Sequence, residues 1–193
     1  MEIEDISMNF NVTSSQIHKI FTFFLPKVHF FSMPITGYPV HNVNGCAPPP
    51  PAPSATACPY RVTATWNSQF QVSNPNKKLS ITYADVVSSV FHKDYFLTET
   101  TIVPFLQGTG DVRTLDASFS LADSFVEGKV VDAMNGERSR GEVKFNVGMV
   151  ADVVFRYSGW RGRRRVLRVW CGDVTLAGSS GRMTGGPKRC LVG

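Results

Sequence analysis

"EVKFNVGMVADVVFRYSG", residues 142–159, carries an apolar residue at every odd position from Val143 through Phe145, Val147, Met149, Ala151, Val153 and Phe155 to Tyr157. The even positions include Glu142, Lys144, Asn146, Asp152 and Arg156. Successive side chains of a strand point to opposite faces, so this period of two predicts one face in a core and the other in water. The run exceeds the usual strand length of about 5 to 6 residues. Gly148 is expected to bulge or bend it.

Working outward, shorter alternations occur at Ala64, Trp66, Phe70 and Val72, at Leu79, Ile81 and Tyr83, at Val87 and Phe91, at Leu115, Ala117, Phe119 and Leu121, and at Leu167, Val169 and Cys171. Short strands separated by turn residues predict a mainly β domain, a two-sheet antiparallel sandwich of the immunoglobulin or fibronectin-III kind. One segment, "LADSFVEGKVVDAMNGERSRG", breaks the alternation. There Leu121, Phe125 and Val126 are spaced for one helical face, with Asp123 or Ser124 as cap and Asn135-Gly136 as stop, so a single short helix is expected. Between the Trp66 and Tyr83 strands, Asn74-Pro75-Asn76 reads as a turn. Pro75 has no N–H to give a ladder and drives Asn74 into an extended conformation, while Asn76 tolerates the left-handed region.

The N-terminal part is different in kind. Residues 33–60 are rich in Pro, Gly, Asn and Ser, with four consecutive prolines from Pro48 to Pro51. That composition predicts a disordered, partly polyproline linker, so the folded domain is expected over residues 61–193. Residues 1–32 form an unassigned extension. Its most apolar window is interrupted by His18, Lys19, Pro26, Lys27 and His29, and so falls short of the roughly 20 predominantly apolar residues of a spanning helix.

The chain holds 20 Lys and Arg against 15 Asp and Glu, a net charge of +5. Residues 1–59 contribute Lys19 and Lys27 against Glu2, Glu4 and Asp5, so the positive charge belongs to the C-terminal part. Its densest feature is "RYSGWRGRRRVLRVW", where Arg161, Arg163, Arg164, Arg165 and Arg168 occur without an acid and with Trp160 and Trp170 interleaved. Arginines beside aromatics suit phosphate backbones and stacked bases. Gly159 to Gly162 reads as a hairpin loop whose tip the arginines crowd, so an anionic phospholipid surface or an acidic partner is preferred over nucleic acid.

Catalysis finds little here. Three of the four histidines lie in the N-terminal part, and His92, in "VFHKDYF", reads as a solvated turn residue. The carboxylates are dispersed along strands, and no cofactor or metal motif is complete, so no enzymatic activity is expected. Cys46, Cys58, Cys171 and Cys190 contain no C-x-x-C pair, which leaves Cys171 and Cys190 as either a bridge or two buried thiols.

Residues 63–115, together with "GEVKFNVGM", "WRGRRRVLRVWCGDV" and the closing "GGPKRCLVG", resemble the plant NDR1/HIN1-like (harpin-induced-like) proteins. Their globular part is the late embryogenesis abundant group 2 (water stress and hypersensitive response) domain. The resemblance implies a two-sheet fold with one short helix and a non-enzymatic stress or pathogen-defence role, with a membrane surface or a defence-related protein as partner. Asn74, Pro75 and Asn76 match the family's NPN motif, and Cys171 and Cys190 match its C-terminal cysteines. Such proteins carry a membrane span between the Pro-rich segment and the domain, whereas here Tyr60 runs directly into Arg61. The expected location is the plasma membrane by resemblance, or the cytosol if that gap is genuine. An apolar pocket between the sheets, holding a small ligand or lipid, is the alternative function.

Overall fold

The computed structural model describes residues 25–36, 40–42, 60–157 and 162–193. In chain order they form β1 (Lys27–Ser32), β2 (Ile35–Thr36), β3 (Val40–Asn42), β4 (Tyr60–Ser73), β5 (Leu79–His92), β6 (Tyr95–Ile102), β7 (Phe105–Gln107) and β8 (Val112–Val126). The helix α1 (Gly128–Ser139) follows, then β9 (Glu142–Tyr157), β10 (Arg163–Ala177), β11 (Lys188–Arg189) and β12 (Leu191–Val192).

Two antiparallel sheets face each other. In sheet one, β4 pairs with β8 on one side and, in series, with β1, β2 and β3 on the other, and β11 adds to β1. Sheet two runs β12-β10-β9-β5, with β6 and β7 sharing the far side of β5. The odd-numbered face of β9 points into the space between the sheets, where Phe145, Val147, Ala151 and Val153 are buried against Trp66, Phe30, Phe70 and Phe119. Phe30 meets Phe70 edge to face at 5.1 Å, and Trp66 meets Phe145 at 5.9 Å, geometries that aromatic quadrupoles favour.

The folded unit begins earlier than expected. Val28, Phe30 and Met33 are at most 1% exposed, so β1 and its sequel are core rather than extension or linker. Residues 35–36 and 40–42 are extended, as Pro-rich composition implies, but their backbones pair with β4. The remainder of the anticipated linker, residues 43–59, lies outside the described residues.

The helix is also displaced. Leu121, Phe125 and Val126 belong to β8, where Phe125 and Val126 pair with Arg61 and Tyr60. The helix starts after Glu127, buries Val130, Val131 and Met134, and runs through Asn135-Gly136. Gly141, at φ 102, supplies the stop, with its N–H donating to the Arg138 carbonyl.

Five of the ladders between described strands shift register, and three of the shifts coincide with an aspartate in the left-handed region: Asp85 (φ 48) in β5, Asp123 (φ 45) in β8 and Asp173 (φ 52) in β10. Short polar side chains tolerate that conformation better than branched ones. The inserted residue restores the inward phase of a long strand as it twists, so burial resumes at Val86, Val126 and Val174. Gly148 is not such a bulge. Its ladder continues to both Ser89 and Trp170, and its missing side chain lets the Phe91 and Trp170 rings close over it.

Cys171 of β10 and Cys190, between β11 and β12, form a disulfide. It ties down a segment that leaves sheet one at Arg189 and enters sheet two at Leu191. With a sequence separation of 19 between the cysteines, the bridge is expected to contribute about 3 kcal/mol. Thermal unfolding with and without a phosphine reductant should differ by about 9 °C, with Cys190→Ser matching the reduced protein. Equal melting temperatures would remove the bridge from any stabilising role.

Candidate functional site

The Asn-Pro-Asn turn carries β4 of sheet one over to β5 of sheet two, and its two asparagines are buried. Asn74 donates through Nδ2 to the Leu79 carbonyl at 2.8 Å and to the Gly108 carbonyl at 2.7 Å. Its Oδ1 accepts from the Asn76 backbone N–H at 3.1 Å and from Asn76 Nδ2 at 2.7 Å. Its own N–H donates to the Asp111 carbonyl at 2.8 Å. Next to it, Gln107 Nε2 donates to the Val72 carbonyl at 2.9 Å, and Gln107 Oε1 accepts from the Tyr83 hydroxyl at 2.9 Å. Burial pushes the Tyr83 phenol well above the usual tyrosine range. The amide groups of Asn74 and Gln107 serve backbone carbonyls, which makes the turn a fastener between the β4–β5 and β7–β8 crossings. Asn76 contributes its side chain and not a left-handed backbone, since positive φ among the described non-glycine residues is confined to Asp85, Lys93, Asp123 and Asp173.

His92 ends β5 at a hairpin, yet it is 2% exposed where a solvated residue was expected. Its Nε2 lies 3.2 Å from Glu137 Oε2 of α1, and its ring packs edge to face on Phe145. Partial burial alone would push the Glu137 carboxyl up. The Lys144 N–H, the His92 ring and the nearby Lys93 ammonium outweigh it and hold that carboxyl below its usual range. A depressed carboxylate stabilises the fold above its unfolded pKa, and the contribution drains away as pH falls through the folded one. The stability gap between the wild type and Glu137→Gln should therefore be full near neutrality and shrink below about pH 4.5, the ordinary value. Urea titrations at stepped pH measure it; a gap that does not change with pH would refute the assignment. The pair anchors a helix.

Among the described residues no three His, Cys, Asp or Glu side chains converge to hold a metal ion. None of the described helices is long and apolar enough to cross a membrane.

What remains is a surface. On the outer face of sheet two, cross-strand rows run Leu191, Trp170, Gly148, Ser89 and Glu99 in one line and Arg168, Val150, Val87 and Thr101 in the next. Phe91 lies 5.5 Å from Trp170 and 5.8 Å from Phe96, ring to ring. Val87, Phe91, Val150, Arg168, Trp170 and Leu191 are among the residues that line an open groove of about 470 Å³ there. Trp170 is 40%, Val150 47%, Val166 46% and Leu191 74% exposed. Exposed apolar side chains grouped in this way are the kind of surface that interaction sites use.

The arginines divide around it. Arg161 lies outside the described residues, and of Arg163 only the backbone, at the start of β10, is described. Strand alternation puts Arg164 and Arg168 on the outer face with Val166 and Trp170, and Arg165 on the opposite one with Leu167 and Val169. Of the three arginine side chains described, Arg165 is thus on the face opposite Arg164 and Arg168. The apolar partners Phe91, Phe96, Val150 and Leu191 had no place among the sequence candidates. Their signal was Val150 and Val154 at even positions of β9, where a solvated face calls for polar residues.

A second, smaller cavity of about 170 Å³ opens at the α1 end of the sandwich, between Arg138, Ile35, Phe145 and the 177–181 loop. Elsewhere the space between the sheets is occupied by the aromatic core.

No family model matches this chain, and no curated protein does. Among solved structures, a protein from Archaeoglobus fulgidus is similar over 77% of this chain and 96% of its own, at 10% identity and a TM-score of 0.35.

Proposed function

We propose that this chain is a non-enzymatic binding domain of the plant stress and pathogen-defence response, serving as a scaffold at the plasma membrane. The observation that carries the reading is the exposed apolar face of sheet two, with Trp170 and Leu191 beside Arg164 and Arg168. The other polar clusters are engaged in holding the fold: the Asn74 network joins two crossings, and the His92–Glu137 pair holds α1. Support for the biological setting comes from the Asn74-Pro75-Asn76 motif and the paired Cys171 and Cys190, both in the positions the harpin-induced-like resemblance requires.

The test is a plant lacking this gene, challenged with a pathogen and with dehydration, then complemented by a fluorescently tagged chain. The tagged wild type should collect at the plasma membrane and restore the response. A normal response in the null plant, or restoration by a purely nuclear chain, would sink the reading.

A further inference from the structure

We propose that the β10–β12 side of sheet two docks directly on an anionic phospholipid bilayer, with Trp170, Val166 and Leu191 in the interfacial zone and Arg164 and Arg168 against lipid phosphates. This rests on the membrane-side reading above and names the surface and the chemistry that would serve it. Residues 164, 166, 168 and 170 share one face of β10, which yields an arginine, an aliphatic, an arginine and an aromatic in sequence. Leu191, the most exposed of these apolar residues, pairs with Trp170 from the neighbouring β12. Among the described residues neither Arg164 nor Arg168 has an ion-pair partner, whereas Arg61 and Lys93 have theirs in Asp123 and Glu137.

Unpaired guanidinium groups alternating with exposed apolar side chains need a partner that is anionic and apolar within one residue's reach. A headgroup layer over acyl chains has that order. Tryptophan sits at the boundary with an apolar body and a polar N–H, and arginine lies its stem along the apolar zone with its charge outward. Of the acids on this face, Glu99 lies on the distant β6, while Asp152 of β9 stands opposite Val166, so the β10–β12 flank would meet an anionic layer with two arginines against one neighbouring carboxylate. A nucleic acid fits less well, because on the β10–β12 ridge Trp170 alone offers a base a stacking plane, while Val166 and Leu191 offer none. A second copy of this chain would set Arg164 and Arg168 against an equally cationic flank in any arrangement that juxtaposes the two ridges.

Sedimentation of the full chain with phosphatidylcholine vesicles, with and without phosphatidylserine, tests this. Association should require phosphatidylserine and weaken with salt. The Arg164→Gln/Arg168→Gln double variant should partition about thirtyfold less, about fivefold for each arginine at a membrane surface. Leu191→Ser should reduce association with no change in melting temperature, since that side chain is outside the core. Equal binding to both vesicle types, or a double variant that binds as the wild type does, would overturn the proposal. So would single-stranded DNA binding through the same arginines without vesicle binding, or a dimer in solution that Leu191→Ser dissolves while vesicles are ignored. If the tagged double variant still collects at the plasma membrane and restores the response, this docking face is wrong and the proposed function stands.

Discussion

A polypeptide begun at Arg61 is expected to show no cooperative unfolding transition. That start follows the boundary drawn from composition, but it removes β1, β2 and β3 and with them Val28, Phe30 and Met33. Emptying the site of a single buried Phe costs about 3 to 5 kcal/mol and of a Met about 2 to 5 kcal/mol. Together these losses rival the about 5 to 15 kcal/mol by which a whole domain is stable. The removal also strips one side of β4, leaving its Phe70–Ser73 end without its β1 partners. A graded companion separates packing from misfolding: Phe30→Ala in the full chain should keep one transition and lose about 4 kcal/mol. Urea unfolding followed by tryptophan fluorescence reads both. A short chain that melts as sharply as the full one would show that β1 is an accessory.

The second large effect is at Asn74. Asn74→Ala should destabilise by about 4 kcal/mol, because the carbonyls of Leu79 and Gly108 each lose their donor at about 2 kcal/mol. Asn74→Asp should be worse despite its matching shape. One amide nitrogen now serves both carbonyls, and a carboxylate would set an acceptor against acceptors in a buried site. Thermal melts of the two variants decide it: an aspartate variant more stable than the alanine variant would mean that shape, not donor chemistry, matters there.

Strand content, antiparallel sheets and the presence of one helix were legible because long strands with one buried face print a period of two. What was not legible has physical causes. β1 buries only two residues of its own, Val28 and Phe30, and its alternation with Lys27 and His29 is too short to stand out from the apolar run that precedes it, while its partner β4 lies far along the chain. In β8, the insertion of Asp123 moves the next inward residue from an even spacing to Val126, and the result of that bulge imitates helical spacing. His92 shows a third cause: a polar residue at a hairpin becomes core when a distant helix brings Glu137 to it. The candidate site was half visible. Arg164, Arg168 and Trp170 stood out by composition, whereas Phe91, Phe96 and Leu191 join them only through register.

β1 finds its outer partner in β11, with His29 opposite Arg189, and the Cys190 N–H donates to the Val28 carbonyl. Two of the earliest described residues thus wait for two of the latest. During synthesis on the ribosome no growing fragment can complete sheet one, so the outer edge of β1 stays unpaired until this closing strand has emerged.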